Sequence, residues 1–177
     1  MSGVNNDAGN PARASGAAEE LAGELLSRGS RLVTAESCTG GGIAYVLTSI
    51  PGSSNWFERG FITYSNASKR EILQIGAEIL DRHGAVSEPV VTAMAEAALA
   101  RSRADYSIAV TGIAGPDGGS KEKPVGTVWF GWSRGAGQTR TLVRCFEGDR
   151  RAVREQSIAY AITGLLNLLR MDPDSSF

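Results

Sequence analysis

The chain reads as an α/β protein: a three-layer α/β/α sandwich with a mixed, mostly parallel sheet of about five strands. Strand-like and helix-period segments alternate from Gly16 to Val110, the pattern that builds a parallel sheet with covered faces. Two later strand-like runs flank Arg134 to Gly137, which adds an antiparallel pair. The bulk composition agrees: 177 residues, 42% hydrophobic and 21% charged, are enough to bury roughly 70% of the unfolded surface in one core.

Taken in order, Met1 to Ser15 is Gly, Asn, Ala, Ser and Pro with little apolar anchor and is expected to be a disordered tail. Residues 16–170 form the domain, and 171–177 a second tail. The spacing of Leu21, Leu25 and Leu26 predicts an amphipathic helix over 16–28, followed by a buried strand over 31–35. A glycine-rich turn leads into a helix over 41–49. After the Pro51 to Ser54 turn, aromatic and β-branched residues predict a strand over 60–64. Asn66 is the expected N-cap of a helix reaching Gln74. A short helix over 77–82 closes at His83 and Gly84, and Ser87 with Pro89 opens an Ala-rich helix ending near Arg103. Strands are expected over 106–110, 126–132 and 139–146. Asp149 then caps a last helix whose apolar stripe holds Ile158, Ile162, Leu165, Leu166 and Leu169.

Charge and cysteine usage remove several function classes. A net charge of -1 leaves no broad footprint for nucleic acid. Cys38 and Cys145, with His83 as the one histidine, fit neither a disulfide framework nor a zinc site, so no metal is expected. No run approaches the ~20 apolar residues of a membrane span, and the N-terminus lacks a secretory pattern. A cytoplasmic protein without membrane or nucleic-acid partners is the expectation. A homo-oligomer is also expected, with an exposed anchor sought among Trp56, Trp129 and Trp132.

Three segments carry chemistry. Thr34 to Gly41 exposes Ser37 on a glycine-rich strand-to-helix turn, where Thr39, Gly40 and Gly41 offer N–H groups to an oxyanion or phosphate. The plainer reading is that Ser37 and Thr39 are caps. Lys69 lies in the first turn of the next helix, where the macrodipole favours a neutral amine. A Ser-Lys pair then replaces a triad that has only His83, at a helix end, to draw on. A solvated surface lysine is the alternative. Tyr64, just before that helix, lines the same cleft or packs at a core edge. The loop from Thr111 to Gly119, with Gly112 and Gly115, lets amides approach an anion. Arg150 and Arg154 share a face at a helix start, either for an anion or as partners of Glu147, Asp149 and Glu155. Cys38 has no histidine or second cysteine beside it and is expected to be buried.

With Ala35 to Gly41, Trp56 to Gly60, Tyr64 to Asn66, His83 to Glu88, Thr111 to Gly119 and Pro124 to Val128 in order, the chain resembles the competence-damage-inducible CinA C-terminal domain family over roughly 17–169. The resemblance implies an α/β/α sandwich with one reversed strand. It also implies hydrolysis of the carboxamide of nicotinamide mononucleotide to nicotinic acid mononucleotide and ammonia, in NAD salvage, with no cofactor. It assigns Ser37 as nucleophile, Lys69 as general base, and Tyr64, Thr111 and Arg150 as substrate or transition-state contacts. Functions of the large N-terminal domain found in some members are not carried over. The rival from another class is a non-catalytic nucleotide- or phosphate-binding module.

Overall fold

The structure, a computed structural model, describes residues 11–171. Helix α1 spans Pro11–Ser27, β1 Leu32–Glu36, α2 Gly42–Thr48, β2 Phe57–Ile62, α3 Asn66–Leu73, α4 Ala77–His83 and α5 Glu88–Ala100. Strands β3 (Tyr106–Gly112), β4 (Thr127–Ser133) and β5 (Thr139–Cys145) precede α6, Arg150–Met171. The sheet order is β2-β1-β3-β4-β5. Strand β1 pairs in parallel with β2 and β3, whereas β4 is antiparallel to both β3 and β5. Four strands therefore point one way and β4 the other, the single reversed strand that the family resemblance implies.

Two helical layers cover the sheet. On one face α1, α2 and α6 bury Leu21, Leu25, Ile43, Leu47, Ile162 and Leu165 against Leu32, Ile108, Val128 and Phe130. On the other, α3, α4 and α5 pack Leu73, Leu80, Val91 and Met94 against Val33, Ala35 and Ala109. Because β1 is an interior strand covered on both faces, all five of its residues are buried. The edge strands β2 and β5 are partly exposed, and β5 carries the exposed Arg140 and Arg144, charges of the kind that discourage further strand pairing.

Several details differ from expectation. Helix α1 starts at Pro11, so the end of the predicted tail is helical and Ala14 is buried, while residues 1–10 and 172–177 lie outside the described range. Its buried stripe runs through Ala18, Leu21 and Leu25, and Leu26 is exposed. The cap of α3 is Ser65, not Asn66: its hydroxyl accepts from the Ser68 amide and the Ser68 hydroxyl accepts from the Ser65 amide, a reciprocal capping box. The tryptophans are not surface anchors. Trp56 and Trp132 are buried, Trp129 is half-buried, and the Trp132 indole donates to the Ala161 carbonyl at 2.8 Å. Only glycine fits at 164, where a Cβ would lie 2.2 Å from that ring.

Candidate active site

Strand parity divides the residues at the end of β1 between the two faces of the sheet. Thr34 and Glu36 turn toward α2, while Val33 and Ala35 turn toward α5. Ser37 follows at the strand end, its amide held by the Val110 carbonyl of β3 at 3.0 Å. The chain leaves β1 over one face through α2 and leaves β2 over the other through α3, so a crevice opens at the carboxyl ends of β1, β2 and β3. In an open α/β sheet such a switch point is where ligands bind.

Ser37 and Lys69 meet there. The Lys69 amine lies 2.9 Å from Ser37 Oγ and 2.7 Å from the Thr63 carbonyl oxygen, and both Lys69 and Ser37 are buried. Among the described residues no carboxylate pairs with Lys69. Burial pushes its pKa down from the ordinary lysine value to about 8. Lys69 is the fourth residue of α3, one place further in than the Asn66 cap implied. Desolvation, more than the helix macrodipole, is the main cause of the shift. The neighbouring Cys38 goes the other way: burial pushes its thiol up to about 12, so it is no thiolate at neutral pH.

The cleft above the dyad encloses about 250 Å³. Its walls include Tyr64, Thr111, Gly112, Gly115 and Arg150, which gathers residues from all three sequence segments and from the start of α6. Thr111 is buried and its hydroxyl donates to the Ala85 carbonyl at 2.8 Å, which ties the β3 end to the α4–α5 linker. Arg150 donates to the Gly115 carbonyl at 2.8 Å and to the Tyr64 hydroxyl, so a guanidinium and a phenol, both exposed, frame the mouth. Asp149 caps α6 as expected, accepting from the Ala152 amide at 2.8 Å. A larger space of about 760 Å³ near Glu96, Tyr106 and Arg134 lies at the opposite end of the sheet and contains neither Ser37 nor Lys69.

Three predicted contact residues are placed elsewhere. Thr39, Gly40 and Gly41 do not line the cleft. The Gly40 amide donates to the Ser37 carbonyl, and the Gly41 amide and Thr39 hydroxyl donate to the Glu36 carboxylate. Gly41 has φ 90, a left-handed conformation that turns its N–H toward Glu36. Arg154 is likewise turned inward, donating to the Thr39 carbonyl at 2.8 Å. His83, at the end of α4, is exposed.

Two contributions escaped the sequence reading. Ala85 and Val86 line the cleft from the segment that had no role assigned, as does Asp117 from the glycine-rich loop. Glu36, next to the nucleophile, is fully buried and occupies the N-terminus of α2. The helix start that looked like a phosphate cradle already holds an anion of its own.

The profile described as the CinA C-terminal domain matches residues 14–169. The chain is 56% identical over 147 residues to the nicotinamide-nucleotide amidohydrolase PncC of Escherichia coli (strain K12), a match covering 83% of this chain and 89% of that protein. It is 52% identical over 147 residues to the protein of the same name from Pseudomonas putida, covering 82% and 91%. The crystal structure of competence damage-inducible protein A from Klebsiella pneumoniae superposes with a TM-score of 0.85 at 43% identity, covering 89% of this chain and 97% of that one.

Proposed function

The chain belongs to the CinA C-terminal domain family, and from that premise we propose that it is a nicotinamide-nucleotide amidohydrolase that converts nicotinamide mononucleotide to nicotinic acid mononucleotide and ammonia in NAD salvage. One observation carries the reading: a buried lysine amine, with no counter-ion among the described residues, 2.9 Å from a serine hydroxyl at the floor of a cleft.

The chemistry follows from that geometry. Neutral Lys69 accepts the Ser37 proton as Oγ bonds to the carboxamide carbon, while its own N–H stays on the Thr63 carbonyl. With the Gly40 and Gly41 amides engaged and Thr39 outside the cleft, the donor left beside Ser37 is the amide of Cys38, which lines the cleft and to which no backbone carbonyl of the described residues is bonded. This N–H meets the oxyanion. The lysinium then protonates the departing nitrogen, ammonia leaves, and Lys69 takes a proton from the water that cleaves the acyl-enzyme and returns it to the departing Ser37 Oγ. No metal or cofactor enters this scheme.

The cleft is small beside the ~300–1,000 Å³ of typical ligand sites, so it seats the ring end of the nucleotide and leaves the phosphate at the mouth, beside Arg150. Remote binding to the phosphate orients the carboxamide for attack. The binding-module alternative is disfavoured because the α2 start, its expected phosphate cradle, is filled by Glu36. Cytoplasmic location and homo-oligomeric assembly accompany the proposal, the latter to be checked by sedimentation. The direct test is coupled ammonia release from nicotinamide mononucleotide by the native chain, Ser37→Ala and Lys69→Ala. Turnover by the native chain alone is expected. Unchanged turnover in either variant, or none in the native chain, would refute the proposal.

A further inference from the structure

We propose that Glu36 is the positioning residue of the dyad: one buried carboxylate that shapes the nucleophile turn on its side chain and the lysine's anchor on its main chain. The inference deepens the amidohydrolase reading, on which the identity of the substrate rests.

Glu36 Oε2 accepts from the Thr39 hydroxyl at 2.7 Å and from the amides of Gly41 and Ile43, each at 3.0 Å. Oε1 accepts from the Ala44 amide at 2.8 Å and from the Thr34 hydroxyl at 3.4 Å. Both oxygens are therefore saturated by donors from β1, the turn and the first turn of α2. The carboxylate folds residues 37–41 back over itself and determines which amides of the turn remain for an oxyanion. An arrangement that used the Gly41 amide for substrate would leave Glu36 short of a donor inside the protein.

The main chain of the same residue reaches the other half of the dyad. The Glu36 carbonyl accepts from the Thr63 amide at 2.8 Å, and the Thr63 carbonyl accepts from the Lys69 amine at 2.7 Å. Lys69 touches Ser37 Oγ, and Ser37 is peptide-bonded to Glu36, so the connections close into a ring. Displacing the carboxylate disturbs the ring at Ser37 while Glu36 keeps its backbone bond to Thr63. The consequence is a misaimed hydroxyl with its base still in place, and misplacement on this scale costs on the order of 10²-fold in rate.

Two assays on the full chain test this, one of them independent of the nucleotide. In the first, a fluorophosphonate modifies Ser37: Oγ bonds to phosphorus, fluoride leaves, and the hydroxyl proton passes to Lys69. Mass spectrometry follows the rate at Ser37. Glu36→Gln, whose amide replaces one acceptor oxygen with a donor facing N–H groups, is expected to slow this reaction on the order of 10²-fold. Glu36→Asp, keeping the charge on a shorter stem, should recover part of it. In the second, nicotinamide mononucleotide turnover per folded molecule should show the loss in kcat with KM within about threefold, the pattern of an interaction lost only in the transition state. If Glu36→Gln does not fold, Thr39→Val, which deletes one donor, should give a smaller loss of the same kind.

Wild-type labelling rates in folded Glu36→Gln or Thr39→Val would overturn the inference. So would a loss that merely follows the unfolded fraction and vanishes on cooling. A native chain that labels at Ser37, with the variants slowed, but does not turn over the nucleotide retires the substrate and leaves Glu36 its role. A native chain unreactive in both assays defeats both.

Discussion

Glu36 and Lys69 are both buried beside Ser37, and they are treated in opposite ways. Glu36 has five donors distributed over its two oxygens. Among the described residues Lys69 has two hydrogen-bonded oxygen neighbours, neither of them charged. A buried ion surrounded by its full complement of partners becomes scaffold, because any change leaves several of those partners unpaired. A buried ion denied a counter-charge gives up its proton near neutrality, because the neutral form avoids the desolvation cost. The same degree of burial thus yields a structural anchor in one case and a candidate base in the other, and the partner set decides which.

The comparison breaks most visibly in activity. Lys69→Ala or Ser37→Ala is expected to lower kcat by on the order of 10⁴-fold or more, with nucleotide binding retained by calorimetry, since the two groups act as a unit. Removing the other buried charge should instead damage the fold. Glu36→Met leaves three amides and two hydroxyls without an acceptor and should cost about 3–5 kcal/mol in denaturant unfolding.

Lys69→Met should do the reverse. The folded pKa of about 8 lies below the unfolded value of 10.5, so between those values the unfolded chain binds more protons and stability rises with pH. Below about pH 8 the native state bears the full penalty, and Lys69→Met should relieve up to about 3 kcal/mol of it while abolishing activity. For the same reason kcat should climb with pH and level off above about 8 as the amine loses its proton, and a Lys69→Ala enzyme should lack that limb. The smallest effect concerns the helix that carries the lysine: Ser65→Ala removes the hydroxyl half of the α3 capping box and should cost about 1 kcal/mol in thermal unfolding.

Much of this was legible in the residue order, and its limits have physical causes. The alternation of periods predicts the layers and the antiparallel pair of β4 and β5, because a pattern of buried faces is written locally, whereas the single reversed strand is what the family resemblance implies. Strand β2 spans Phe57–Ile62, not 60–64, since an edge strand with mixed exposure has a weak alternation, and Thr63 keeps its amide on β1 while its carbonyl accepts from Lys69. The α3 cap shifted by one because Ser65 and Asn66 are both good caps. The signal that separates them was the serine at 68, three residues after Ser65. Serine and lysine were singled out correctly as neighbours to be sought in space, yet the assignment of Gly40 and Gly41 amides to a ligand missed the acceptor one residue before the nucleophile. A glutamate at a strand end gives no local sign that it folds back onto the following helix. Its role depends on the left-handed turn at Gly41, which exists only in three dimensions.

Burial brings the Lys69 amine to the point of losing its proton near pH 8 in the resting protein, far below the ordinary lysine range. Nitrogen-15 labelling of lysine side chains, with the Lys69→Arg spectrum to identify the missing signal, measures it without substrate. The lysine signal missing from the Lys69→Arg spectrum is expected to titrate with a midpoint near 8. A Lys69 midpoint above about 10, where free lysine titrates, would contradict it.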